Sequence, residues 1–255
     1  MLAWWDPNYI WLVLVPTLLL GLGAQILVKS AYARASRVPS SRGLTGAQAA
    51  RAVLSVAGIE STVSRTMEDE EAPDPGRTPE TARGVVRISP VSGILSDHYN
   101  PANRTLRLSG PVFAQPSLAS VAVAAHEAGH AIQHKDGYAP LALRTGIVPI
   151  VSGGFFLAQI AMMVGIFFLG GLRGPLFQVA AAGYALVALF SLVTLPVEFN
   201  ASRRALAALT SRGIITVEEE PVVRSMLRAA ALTYVAGAIT AILQLLYVLS
   251  MGRDD

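Results

Sequence analysis

Cysteine is absent from this chain of 255 residues, and histidine and charged side chains are scarce. Without cysteine the chain can form neither a disulfide framework nor a thiolate metal site, and the redox compartment stays undetermined. A bound metal would have to be held by carboxylates and by the four histidines. The net charge of +3 is small, and its basic residues lie beside apolar segments, which argues against nucleic acid as a partner.

Apolar residues are in excess: they make up 53% of the chain, at a mean hydropathy of +0.49. Such a composition is too apolar for a soluble domain of this size and predicts a membrane protein. Four uncharged stretches, 9–28, 147–172, 176–195 and 232–251, are long enough to cross a hydrocarbon core of about 30 Å. We interpret the first as a retained anchor rather than a signal peptide, because no basic residue precedes it.

The basic residues that flank these stretches predict an orientation. Most of them lie in the two segments 29–146 and 196–231. By the positive-inside rule both segments are predicted to be cytoplasmic, with the two termini outside.

The most informative motif is His126-Glu127-Ala128-Gly129-His130, in an alanine-rich stretch that begins after Pro116 and Ser117, a typical helix start. Helix positions four apart lie one turn above each other, so the two imidazoles can reach one ion. Glu127 points aside from the pair, where it would act on a metal-bound water rather than bind the metal. The alternative is two histidines on an ordinary polar helix face.

A catalytic zinc usually takes a third protein ligand. The metzincin pattern fails, because Gln133 and Asp136 stand where it requires glycine and histidine. Glu198 is the only carboxylate between Asp136 and Glu218, and a charge so near a bilayer is costly and usually functional. Glu198 is therefore the predicted third ligand. The alternative is a glutamate that stabilises the first turn of a helix beginning at Pro196.

Two further histidines are weaker candidates. His98 lies in a polar, aromatic stretch, 95–101, and would help to stabilise an oxyanion, with a plain turn role as an equal alternative. His134 stands near the predicted end of the motif helix, where a cationic side chain is stabilising without any catalytic role.

The sequence also predicts secondary structure for the segments outside these motifs. A helix is predicted over 44–57, a solvated acidic loop over 67–84, and short strands over 85–88 and 105–108. If the strand 105–108 is a sheet edge beside the site, an extended substrate could bind by adding a strand to it. The run Glu218-Glu219-Glu220 is typical of a solvated helix face.

In these motifs the chain resembles the YugP-like family of bacterial membrane zinc metallopeptidases over nearly its whole length. The resemblance is carried by 95–101, 106–109, 124–133 and 196–206. More distantly, the chain is similar to gluzincin membrane proteases related to the prenyl-protein protease and the heat-shock membrane protease, whose third ligand is a glutamate on a later helix. In those proteins an aspartate four residues further on supports a ligating histidine, whereas this chain has Ser202, with Asn200 nearby.

The resemblance implies a peptidase of the bacterial plasma membrane, with one Zn²⁺ per chain held by His126, His130 and Glu198, and with Glu127 as general base. Its substrate would be a peptide or protein. The expected fold is a mainly α membrane protein with about four transmembrane helices and a cytoplasmic zincin-like α+β domain that carries a small sheet and the HExxH helix. The residues alone would equally permit a membrane zinc hydrolase of a non-peptide substrate, or a non-catalytic scaffold. The natural substrate and the oligomeric state are not determined.

These predictions divide the chain into five segments. Residues 1–28 form the anchor, 29–146 the cytoplasmic region with the HExxH helix, and 147–195 a two-helix membrane hairpin. Residues 196–231 form a second cytoplasmic segment with the third zinc ligand, and 232–255 the last transmembrane helix and tail.

Overall fold

A computed structural model describes residues 7–64, 84–93, 96–169 and 171–252. The predicted acidic loop lies almost wholly outside these residues. The helices are α1 (Pro7–Tyr9), α2 (Val15–Ser36), α3 (Gly46–Val56), α4 (Gly110–Ala114), α5 (Leu118–Lys135), α6 (Ala139–Phe168), α7 (Gly174–Ser211) and α8 (Glu220–Met251). A π-helical segment, Ile10–Leu14, joins α1 to α2, and the strands are β1 (Ser61–Val63), β2 (Val86–Val91), β3 (His98–Asn100) and β4 (Thr105–Ser109).

The chain divides into two compact units. The first contains Met1–Leu27, Ala139–Val197 and Ala231–Asp255, and the second contains Val28–Tyr138 and Glu198–Ala230. The divisions fall inside α2, α7 and α8, so these three helices each contribute to both units.

The first unit is built from long apolar helices. The continuous helix Pro7–Ser36, together with α6, α7 and α8, gives four helices long and apolar enough to cross a membrane. Large apolar side chains on them stay exposed, for example Leu19 at 67%, Phe156 at 64% and Phe168 at 76%. Lipid solvates such surfaces and water does not, so the chain has the character of a membrane protein.

The second unit packs helices against a small mixed sheet. The strand order is β1-β2-β4-β3, with β1, β2 and β4 parallel and β3 antiparallel to β4. Ile88, Leu106 and Leu108 are fully buried in one core with residues of α3 and α5. The two predicted strands are confirmed as β2 and β4. The prediction that 105–108 forms the sheet edge is wrong, because β4 pairs on both sides and β3 is the outer strand.

Local signals set the limits of α3 and α5. Thr45 and Gln48 form a capping box at the start of α3, which matches the helix predicted over 44–57. Ser117 caps α5 by accepting a hydrogen bond from the Ser120 backbone N–H, as its sequence predicted. The motif helix ends at Lys135, before Gly137, whose φ of +62° suits glycine.

The prediction that 218–220 lie on a solvated helix face is wrong for Glu219, which is only 6% exposed. Its Oε1 accepts hydrogen bonds from the Ser41 N–H and hydroxyl at 2.7 and 2.6 Å, and its Oε2 accepts one from the Thr216 N–H at 2.8 Å. Burial alone would raise the pKa of Glu219, but these hydrogen bonds lower it overall. The carboxylate therefore ties the segment around Ser41 to the turn before α8.

We predict that Glu219→Gln lowers the free energy of unfolding by about 1–3 kcal/mol, because its amide nitrogen would face the Thr216 N–H donor. A lowered native pKa stabilises the fold above the unfolded pKa, and this contribution is lost as the pH falls through the native value. The deficit of the variant should therefore shrink on acidification. Thermal unfolding of the detergent-solubilised protein at several pH values measures this loss of stability. Glu60→Gln, at an exposed position, is the control, and equal stability of the two variants would contradict the prediction.

Candidate metal centre

Helices α5 and α7 bring His126, His130 and Glu198 together within the second unit. The Oε2 atom of Glu198 lies 3.2 Å from Nε2 of His126 and 3.7 Å from Nε2 of His130. Glu198 is 1% exposed and His130 8%, whereas His126 is half-buried. The three potential ligand atoms all lie within 4.8 Å of one another. The predicted ligand set is thus close in space, although its residues span more than seventy positions in sequence.

This geometry fits a zinc ion. Nitrogen and oxygen ligands bind zinc at about 2.0–2.1 Å, so two donors of a tetrahedral site lie about 3.3 Å apart. The two measured separations, 3.2 and 3.7 Å, bracket that value. Two neutral imidazoles and one carboxylate are also the donor types that catalytic zinc takes. The chain has no cysteine, so no thiolate competes with these ligands for the ion.

The close contact of the two helices depends on Gly129, inside the motif. A Cβ atom built on Gly129 would lie 2.5 Å from the backbone oxygen of Ala201 in α7. Only a residue without a side chain permits this approach. Gly129 therefore allows Glu198, one turn before Ala201, to lie against the two histidines.

Each histidine uses its other ring nitrogen for a protein partner. Nδ1 of His126 lies 3.1 Å from the Ser202 hydroxyl, and Nδ1 of His130 lies 2.9 Å from Oε1 of Gln133. Such partners orient a ligating imidazole and leave Nε2 for the metal. Ser202 lies four residues after Glu198, one turn further along α7.

Sequence reasoning missed Gln133, and it named Asn200 without giving it a contact. Gln133 is fully buried, and its Nε2 donates to Oδ1 of Asn200 at 3.0 Å. The available signal was its spacing, because a residue three positions after His130 lies on the same helix face. Its partner on α7 was not visible from spacing alone.

The electrostatics of the centre are set by burial and by the glutamates. Burial raises the pKa of Glu127, while the two neighbouring histidines partly offset the effect. Burial would lower the pKa of His130, but the Glu198 carboxylate raises it overall. A raised pKa makes Glu127 a stronger base than an exposed glutamate.

His98 is not part of this donor group. It lies on the edge strand β3, where its Nδ1 is 2.7 Å from the Ser96 carbonyl oxygen. The next side chain, Tyr99, contacts His134 of α5, and successive strand residues point to opposite faces. His98 therefore lies on the sheet face away from α5. Its catalytic assignment stays a prediction, and this geometry gives it no contact with the ligands.

His134 differs from its predicted cationic role. Its Nδ1 lies 2.8 Å from the Tyr99 hydroxyl, and burial, together with Arg104, lowers its pKa. Burial also raises the pKa of Tyr99 to about 12. A neutral His134 that joins α5 to β3 replaces the expected charged helix end.

Known proteins resemble this chain over most of its length. The family described as "Putative neutral zinc metallopeptidase" matches residues 10–72 and 81–253, and the chain belongs to that family. Its curated relatives include the "Putative membrane protease YugP" of Bacillus subtilis (strain 168), which is 37% identical over 242 residues, covering 92% of this chain and 94% of that protein. No solved structure matches the chain.

We predict that Gly129→Ala weakens zinc binding by at least tenfold, because the new methyl group forces α7 away from α5 and moves Glu198 from the histidines. Zinc titration of the purified protein with a competing chelator measures this. Gly110→Ala is the matched control, since a Cβ there meets nothing within 4 Å. Wild-type affinity in Gly129→Ala would mean that the helix contact does not position the ligands.

Proposed function

We propose that this protein is an integral-membrane zinc peptidase that hydrolyses peptide bonds in peptide or protein substrates. One observation carries the proposal: a buried glutamate and two helix-borne histidines converge at separations suited to zinc, with Glu127 beside them. Membership of a family described as zinc metallopeptidases and the four apolar helices support it.

In this proposal His126, His130 and Glu198 would hold the ion. Zinc at such a site supplies Lewis-acid polarisation of a carbonyl group and activation of a water molecule. Glu127 accepts the proton of the attacking water and passes it to the leaving amine, as a general base and then a general acid. Burial favours this role by bringing the pKa of Glu127 closer to neutral pH.

The edge strand β3 is the proposed place for the substrate backbone. Among the described strands it lies at one end of the sheet, and it pairs on one side with β4. An extended peptide would add a strand on its other side, which gives affinity with little sequence preference. This assignment moves the substrate edge from 105–108, where the sequence suggested it, to 98–100.

We predict that Glu127→Gln and Glu198→Ala fail in different ways. Glu127→Gln keeps the shape of the side chain and removes the base, so it should retain about one zinc per chain and lose roughly 100-fold or more in peptide hydrolysis. Glu198→Ala should lose both zinc and activity, because two imidazoles make an incomplete site. Metal analysis and a casein-cleavage assay of the purified variants measure these outcomes.

The control for this pair is His126→Ala, which should also lack zinc. Full zinc occupancy in Glu198→Ala, under conditions where His126→Ala is empty, would identify another residue as the third ligand. Unimpaired hydrolysis by Glu127→Gln would rule out Glu127 as the base.

We further propose that segments 29–146 and 196–231 face the cytoplasm of a bacterial cell, as their basic residues indicate. Single cysteines at Ser55 and Ser211, both exposed, should then resist a membrane-impermeant thiol reagent in intact cells and react after lysis. The chain has no native cysteine to interfere. Labelling of either position in intact cells would reverse the orientation.

A further inference from the structure

A line of polar side chains runs from His130 to the end of α5. Oε1 of Gln133 lies 2.9 Å from Nδ1 of His130, and Nε2 of Gln133 donates to Oδ1 of Asn200 at 3.0 Å. The Nε–H of Arg204 donates to the same oxygen at 2.7 Å. A guanidinium nitrogen of Arg204 is also paired with the Asp136 carboxylate. These contacts join α5 and α7 within the second unit.

The direction of each hydrogen bond in this line follows from Arg204. A guanidinium has N–H donors and no acceptor, so the atom of Asn200 that faces it must be the amide oxygen. That oxygen can only accept, so Gln133 must present its NH₂ group to Asn200. The carbonyl oxygen of Gln133 then faces His130, and Nδ1 of His130 must carry the proton.

We propose that Gln133, Asn200 and Arg204 are positioning residues that fix the neutral ring of His130 in the Nδ1–H tautomer, so that Nε2 is the nitrogen available to zinc. The inference rests on the proposed zinc site. Arg204 is itself held in place, by the ion pair with Asp136 and by the Tyr138 ring, whose centroid is 5.9 Å from its Cζ. Gln133 is fully buried, so water does not compete for its amide.

His126 provides a contrast in the same site. Its Nδ1 faces the hydroxyl of Ser202, which can donate or accept a hydrogen bond. That contact does not select a tautomer. Of the two Nδ1 contacts, only that of His130 selects a tautomer, through an amide pair whose polarity Arg204 sets.

Two matched pairs of variants test the proposal in the full-length protein. Asn200→Asp keeps an acceptor for both donors, whereas Asn200→Leu is similar in size and removes it. Arg204→Met removes the donor that sets the polarity, and Arg203→Met changes the exposed arginine beside it. Zinc is first removed with a chelator, and the protein is kept at a pH high enough that a neutral ring carries one proton.

The primary measurement is the ¹⁵N spectrum of the histidine rings, with His130 assigned from the signal lost in His130→Ala. The wild type, Asn200→Asp and Arg203→Met should carry the proton on Nδ1 of His130. Asn200→Leu and Arg204→Met should populate both tautomers and bind zinc about 10–100-fold more weakly. The His134 signal, which reports its contact with Tyr99, should be unchanged in all variants and so verifies the fold.

A proton on Nε2 of His130 in the wild type would overturn the proposal. So would weaker zinc binding in Asn200→Leu with an unchanged tautomer, because packing alone would then explain the effect. The tautomer is read without zinc, so a wild type that shows Nδ1–H and the expected variant pattern supports this proposal even if the protein fails to cleave peptides.

Discussion

The buried carboxylate of Glu198 is the constraint on which the second unit of this protein depends. An ionised carboxylate at 1% exposure is very unfavourable unless it is paired or binds a metal. Two imidazoles within 3.7 Å offset that cost and, together with Glu198, form a group that could hold a metal ion. Gly129 permits that pairing, since a side chain there would separate α5 from α7.

Around that carboxylate the two helices present polar side chains to each other at helical spacing. On α7, Asn200 and Arg204 are four residues apart and lie on one face, and on α5 His130 and Gln133 are three apart. Each of the two histidines therefore has a protein partner at its Nδ1 atom. A buried network of polar side chains is costly when one of its groups lacks a hydrogen-bond partner. The line of side chains from His130 accordingly continues to the ion pair of Arg204 and Asp136.

Several sequence predictions were wrong for reasons that lie in tertiary contacts. Residues 105–108 alternate in polarity like a strand with one solvated face, yet β4 is interior because β3, only three residues long, pairs with its other side. Glu219 belongs to an acidic run that looks solvated, but Ser41, 178 positions away in sequence, provides donors for it. His134 has the position of a helix-end cation, but burial, together with Arg104, lowers its pKa, and its Nδ1 contacts Tyr99. In each case the deciding partner is distant in sequence.

The sequence by itself determined the features that depend on composition, on helical periodicity and on the spacing of nearby residues. It predicted four apolar stretches, the helix that carries His126, Glu127 and His130, and, by elimination, Glu198 as the remaining carboxylate. Those features need no knowledge of the fold, because helical spacing alone sets which nearby residues share a face. Only the tertiary structure decided which side chains of α7 meet those of α5, and so placed Gln133 against Asn200. That information resides in the close approach of two helices at Gly129, which no local pattern encodes.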